Sequence, residues 1–315
     1  MSDPPVDDSE SMRTVIVALL ANGGIALAKG VAAVITRSSA MFAETVHSVA
    51  DTGNEVLLLV AHHRGRRRAV PGRLSRGREA YFWALLAAVG VFVVGAVIAI
   101  FQGIHELLQP VEATSFVVAY VVLVVAFVLE AISFSQASRQ LQGEAARLDR
   151  GLLEHVRLTS DPTTRAVFAE DAAAMVGNVL ALVGIALHQI TGSVVPDALA
   201  SIAIGLVLAA VAAFLVERNR DFLVGEEVAP AGKQRIADVL LAWPGVVGVR
   251  DLVVTFTGPG EVWVVARVDV DDSLTGAEVE ELVAGIEREL IARDDAITRV
   301  DVVPVGQAPP AQEAG

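Results

Sequence analysis

MFAETVHSVADTGNEVLLLVAHH, Met41 to His63, is the stretch on which the reading of this chain turns. As a helix it places His47 and Asp51 four residues apart, so imidazole and carboxylate share one face. Glu44 lies one turn before His47 and Asn54 one turn after Asp51, extending that face into a polar stripe. The opposite face, with Leu57, Leu58 and Val60 near its end, is apolar enough to meet lipid or other helices. An ionisable side chain at the bilayer centre costs at least about 2.5–3.5 kcal/mol, so such residues rarely persist there without a task. The stripe reads as half of an intramembrane cation site.

The rest of the chain supports a membrane setting. Of its 315 residues 54% are hydrophobic, and the mean hydropathy is +0.57. Six hydrophobic segments, each roughly 20–25 residues, are long enough to cross about 30 Å of hydrocarbon. They run from Met12 to Ile35, Met41 to His62, Glu79 to Gln102, Ser115 to Ser138, Thr164 to Gln189 and Pro196 to Val216. There is no cysteine, which excludes disulfides, thiolate zinc sites and thiol catalysis together. The net charge of −13 comes from the acidic N-terminal tail and the last quarter of the chain, so nucleic acid is not an expected partner. The N-terminus, MSDPPVDDSESMR, is unlike a secretory signal and reads as a disordered tail.

Loop charge sets the orientation. RGRRRAVPGRLSRGR, Arg64 to Arg78, joins segments 2 and 3; Arg139, Arg147, Arg150, Arg157 and Arg165 flank the 4–5 connection, and Arg218 and Arg220 follow segment 6. By the positive-inside rule these loops, and with them both termini, are expected in the cytoplasm, and the arginines near headgroups. Compact loops and the lack of a targeting segment suggest a bacterial inner membrane.

After Gly225 the pattern becomes that of a soluble domain. An amphipathic helix from Ala231 to Trp243 is followed by valine-rich strands at Val246 to Thr257 and Glu261 to Asp271, joined by Gly258-Pro259-Gly260. A helix from Thr275 to Arg293 and a strand from Ile297 to Val305 complete an α-β-β-α-β, ferredoxin-like α+β unit with helices on one face of a small sheet. The expected division is a tail at 1–11, a six-helix transmembrane domain at 12–225, this domain at 226–306 and a second disordered tail at 307–315.

Segment 5 supplies the other half of the site. Asp161-Pro162 suits a helix start, Glu170 and Asp171 follow, and Asn178 lies seven residues beyond Asp171 on its face. Ala172, Ala173, Ala174 and Gly177 allow another helix to come close. A cluster of His47, Asp51 and Asp171 would offer one nitrogen and two carboxylates; with water or Glu170 it becomes a four-coordinate set suited to Zn²⁺. Other readings stand beside this one. His47 and Asp51 would also serve as a structural pair, and Glu170 as the lining of a vestibule. Lys29 and Glu130 would each pair with other groups for helix packing or tune proton transfer, and Asn22 and Asn54 would bond backbone or each other across helices 1 and 2, or ligate directly. An intramembrane zinc hydrolase would need Glu170 as general base, but no HExxH occurs, nor any phosphate-binding GxxxxGK[ST] loop.

The sequences HSVADTGN, EDAAAMVGN, SRGREAYFWALLAAVGVFVVGA and WPGVVGVRDL resemble the cation diffusion facilitators over nearly the whole chain. HSxxDTxN with EDxAAxxG is similar to the zinc-transporter-like subgroup. The resemblance implies a homodimer in a lipid bilayer that exports divalent cations, Zn²⁺ foremost, in exchange for protons. It implies no cofactor beyond the transported ion and no enzymatic activity. His47, Asp51 and Asp171 fall on three of the family's four liganding positions; the fourth falls on Val167, for which Glu170 would substitute. Glu44, Asn54 and Asn178 would form the surrounding shell. Arg78 falls where relatives carry an interhelical salt bridge, with Glu226 or Glu227 as its partner. All six histidines precede the soluble domain, and Arg250 and Asp301 stand where relatives place histidines, so no zinc cluster is expected there. Export of Mn²⁺, Fe²⁺ or Co²⁺, and a non-transporting subunit, are the alternatives. The expected mechanism is alternating access around a midplane site, with metal and protons competing for the same ligands.

Overall fold

The computed structural model describes residues 8–65, 77–147 and 150–306; the arginine-rich loop and both expected tails lie largely or wholly outside them. The described chain forms two compact units, one of Met1–Arg64 with Tyr81–Arg220, the other of Gly65–Ala80 with Asp221–Gly315.

The first unit is helical. Its elements are α1 (Asp8–Thr36), α2 (Ser39–Gly65), α3 (Arg78–Ala87), a π-helical stretch at Ala88–Val93, α4 (Val94–Leu108), α5 (Phe116–Arg147), α6 (Leu152–Leu158), α7 (Pro162–Thr191) and α8 (Val195–Val224). Five helical spans among the described residues are long and apolar enough to cross a membrane: Leu19–Thr36, Arg78–Leu108, Phe116–Ala146, Pro162–Thr191 and Val195–Val224. The expected sixth, α2, has the length at 27 residues. Glu44, His47, Asp51, Asn54 and Glu55 dilute its apolar character, and it is not among the five. Leu27, Val34, Phe101, Val117 and Ile190 are each two-thirds or more exposed, as side chains facing lipid would be.

Alanine and glycine, rather than large side chains, bring the helices together. One buried cluster joins Ala32, Met41, Ala99, Leu123, Ala181 and Ile204; another joins Ala84, Phe92, Ala166, Leu208 and Leu215. At Gly205 a Cβ would stand 2.6 Å from Ile100 Cγ1 and 2.9 Å from the Ala96 carbonyl, so α8 meets α4 nearly backbone to backbone. Asp161 caps α7, its carboxylate accepting from Thr163 N at 2.9 Å, with Pro162 in the first turn. At the other end of the bundle Asp197 accepts from Ser38 Oγ at 2.8 Å and Ser39 N at 2.9 Å, tying the α1–α2 turn to α8. Asp197 is fully buried, although its sequence context is that of a loop. The π-helical stretch and α6 were not foreseen either.

The second unit contains α9 (Pro230–Leu241), β1 (Val246–Gly258), β2 (Glu261–Val270), α10 (Gly276–Arg293) and β3 (Ile297–Val305). The sheet order is β1-β2-β3, with β2 antiparallel to β1 and parallel to β3. The antiparallel pair needs only a tight turn, where Gly260 takes φ 69°, while the parallel pair needs the α10 crossover. Alternate residues of β2, Val262, Val264, Ala266 and Val268, are buried against Leu240, Ile286 and Leu290 of the helices. This is the α-β-β-α-β order read from the sequence.

Candidate metal centre

The polar side chains of the first unit meet where α1, α2, α5 and α7 come together. His47 on α2 is 1% exposed, and its Nε2 stands 3.4 Å from Asp51 Oδ1. That spacing is an ion-pair distance without hydrogen-bond geometry. Both ring nitrogens of His47 and Asp51 Oδ1 are buried with no hydrogen-bond partner. A buried polar group left unmatched costs about 1–3 kcal/mol. Three such atoms on adjoining residues mark a place built for something other than packing.

α7 reaches this pair through Gly177. A Cβ there would overlap Glu44 Oε1 and lie 3.6 Å from His47 Nδ1, so only a glycine lets the helices approach this closely. Glu170, Lys29, Glu130 and Asp171 lie within electrostatic range of Asp51. Glu170, 5% exposed, accepts a hydrogen bond from Asn54. Asp171 turns toward α5, where Ser133 Oγ donates to its Oδ2 at 2.8 Å. Adjacent residues on a helix point about 100° apart, which is why the two acids find different partners.

The structure thus places Glu170 against α2 and Asp171 against α5. Among the described residues no group of three or more His, Asp or Glu side chains converges closely enough to hold a metal ion. His47, Asp51, Glu170 and Asp171 are neighbours, but the two α7 acids are engaged by neutral donors. Of the expected surrounding shell, Glu44 and Asn178 belong to a buried network. Lys29 Nζ donates to Glu44 Oε2 at 2.7 Å and Glu130 Oε1 at 2.9 Å, and Asn178 donates to the other oxygen of Glu130. Asn22 bonds Glu55 rather than Asn54. Glu55 was not singled out from the sequence, although it lies one residue beyond Asn54.

In the second unit Arg78 comes within 3.9 Å of a Cβ placed on Gly225, next in sequence to Glu226. Arg250 pairs with Asp269 at 2.7 Å, and Asp301 accepts from Trp263 Nε1 at 2.6 Å and from Arg299 Nε at 2.9 Å. Arg250 and Asp301 are thus both engaged in ion pairs.

Comparison with known proteins agrees with the architecture. Residues 15–224 match the cation efflux transmembrane domain, and residues 229–302 match the cation efflux protein cytoplasmic domain. The proton-coupled zinc antiporter SLC30A9, mitochondrial, of Xenopus laevis is 34% identical over 260 residues, 82% of this chain and 46% of that protein. Its Homo sapiens counterpart is 31% identical over the same shares. Metal tolerance protein C4 of Arabidopsis thaliana is 29% identical over 85% of this chain and 59% of its own length. The chain spans about half the length of these curated relatives. A solved structure of a MamM CTD variant covers 25% of this chain and 94% of its own at 23% identity, with a TM-score of 0.24. The expectation of a bacterial inner membrane is overturned by the SLC30A9 relatives, which are mitochondrial proteins. Loop charge separates the two sides of the membrane but does not name the compartments. By the match of its transmembrane and soluble units, the chain belongs to the cation efflux family, the cation diffusion facilitators.

Proposed function

We propose that this chain exports divalent metal ions, Zn²⁺ foremost, by exchanging them for protons, and that it works as a homodimer. The observation that carries the reading is the trio of buried polar atoms without hydrogen-bond partners on His47 and Asp51, near two carboxylates of α7. The match of the soluble unit to the cation efflux cytoplasmic domain, and relatives named as proton-coupled zinc antiporters, support it.

In this reading His47, Asp51 and Asp171 bind the ion and Glu170 completes the set. Asn54 and Ser133 hold the two α7 acids until a cation draws them in. A mixed nitrogen and oxygen set suits Zn²⁺ better than Mn²⁺, which favours oxygen alone. Ligands bind metal in their deprotonated forms, so loading releases protons, and protons arriving from the other side expel the metal. α2 would be the sixth span, its polar stripe turned inward. Arg78 and Glu226 would pair at the start of α3.

The test is metal-driven proton flux in proteoliposomes with Zn²⁺, Mn²⁺, Co²⁺ and Fe²⁺, comparing the unaltered chain with Asp171→Ala. Zinc-dependent flux that disappears in the variant is expected. Flux retained by Asp171→Ala would move the site away from α7, and no flux with any metal would point to a non-transporting subunit.

A further inference from the structure

The buried network beside His47 contains one cation of its own. Lys29 is fully buried on α1, with its ammonium between Glu44 of α2 and Glu130 of α5 at 2.7 and 2.9 Å. It takes one oxygen from each carboxylate. Glu130 gives its second oxygen to Asn178 of α7. Glu44 Oε1 and Asn178 Oδ1 are buried and have no hydrogen-bond partner. With Lys29 left aside, three helices present two carboxylates that share the ammonium and, on the residue bonded to one of them, an unpartnered amide oxygen. That donor set, all oxygen and doubly negative, is what Mn²⁺ or another hard divalent cation takes. An ammonium held at these distances by both acids fills the same role with a single charge and a covalent tether.

We propose that Lys29 is a resident cation that closes a second, oxygen-only metal locus made of Glu44, Glu130 and Asn178, and so keeps this chain from taking hard divalent ions. The inference extends the reading of α2 and α7 as the cation path, and its test separates the two. A buried carboxylate pair stripped of its counterion is strongly destabilised unless another cation replaces it. Removing the Lys29 charge therefore converts a closed locus into one that recruits metal. Arginine at this position keeps the charge and keeps the locus closed.

The experiment is equilibrium dialysis of the purified full-length chain against Mn²⁺ or Zn²⁺, with metal analysis per chain. The unaltered chain, Lys29→Met, Lys29→Arg and the triple variant Lys29→Met/Glu44→Gln/Glu130→Gln are compared. Lys29→Met is expected to gain one Mn²⁺ per chain, while the unaltered chain, Lys29→Arg and the triple variant take none. Zinc binding by Lys29→Met without any gain of Mn²⁺ overturns the inference, as does Mn²⁺ uptake that survives in the triple variant. If Lys29→Met gains Mn²⁺ through the two glutamates while the unaltered chain binds no zinc, the inference stands and the transport reading falls. Should Lys29→Met be unstable, its thermal unfolding and expression are followed with and without Mn²⁺. Rescue by the ion supports the locus, since a ligand that binds only the folded state stabilises it, and failure of the ion to rescue overturns it.

Discussion

Replacing Gly177 by alanine adds a single methyl to the seam between α2 and α7. That methyl would overlap Glu44 Oε1 and stand 3.6 Å from His47 Nδ1. Glu44 has little room to give way, because Lys29 grips its other oxygen at 2.7 Å. Either α7 moves off α2 or Glu44 is driven from its partner. Overpacking of this kind costs about 1–3 kcal/mol. Alanine in a helix interior recovers about 0.8–1.0 kcal/mol over glycine. The net loss of folding stability is therefore about 0–2 kcal/mol.

Metal binding has no such compensation. In the proposed site the displacement falls on His47 and on the approach of Glu170 and Asp171, whose spacing the ion would require. If the same 1–3 kcal/mol opposes coordination, zinc affinity drops roughly five- to 150-fold. The assay is competitive zinc titration of the purified chain, read beside thermal unfolding. Gly143→Ala on α5 is the control, since a methyl there meets nothing within 4 Å. A Gly177→Ala chain that binds zinc within twofold of Gly143→Ala would refute the placement of the ion at this seam.

Two further predictions concern the scaffold. Arg165, fully buried at the start of α7, donates to Asn219 Oδ1 of α8 at 2.8 Å; Asn219→Ala should lower stability by about 1.5–3 kcal/mol in denaturant titration, the worth of a hydrogen bond to a charged group. In the second unit Thr275 and Glu278 form a reciprocal capping box at the start of α10. The Thr275 backbone N–H, and then its hydroxyl, hold the Glu278 carboxyl below its ordinary 4.5. A depressed carboxyl stabilises the fold above its unfolded pKa, and that contribution fades as pH falls through the lower folded value. Glu278→Gln should therefore melt below the unaltered chain at neutral pH, with the gap closing as pH drops below 4.5; a gap that widens in acid would contradict the cap.

The helices and strands were legible because each depends on a pattern that survives without tertiary contacts. Apolar runs mark the five spans, and alternating valines mark β1, β2 and β3. The hydrophobic pattern said little about α6, a seven-residue helix, or about the π-helical stretch, whose residues are as apolar as their neighbours. At the site the residue types were visible and the pairings were not. Lys29 and Glu130 lie 101 residues apart, and nothing local says that they meet. Spacing put Asn54 on the face of Asp51, but only the packing of α7 shows it donating to Glu170. Asp197 follows Gly192-Ser193 closely and drew no reading of its own, yet the α1–α2 turn folds down onto it.

The ways in which the acids are already held rank them as ligands. A hydrogen bond from a neutral donor is worth about 0.5–1.5 kcal/mol net, or about 1.5–3 when the acceptor is charged. Asp171 held by Ser133 and Glu170 held by Asn54 are therefore within reach of a divalent ion that offers a stronger interaction. Glu44 and Glu130 are held by a buried ammonium, and breaking such a pair costs about 3–5 kcal/mol because it strands a charge. At the proposed site a cation arriving between α2 and α7 would meet His47 ring nitrogens and an Asp51 oxygen that have no hydrogen-bond partner, recruit Asp171 and Glu170 at modest cost, and leave the Lys29 network intact. In the proposed site that order of release would compensate for the valine at position 167, with Glu170, held among the described residues by the Asn54 amide, standing in for a ligand one turn earlier on α7.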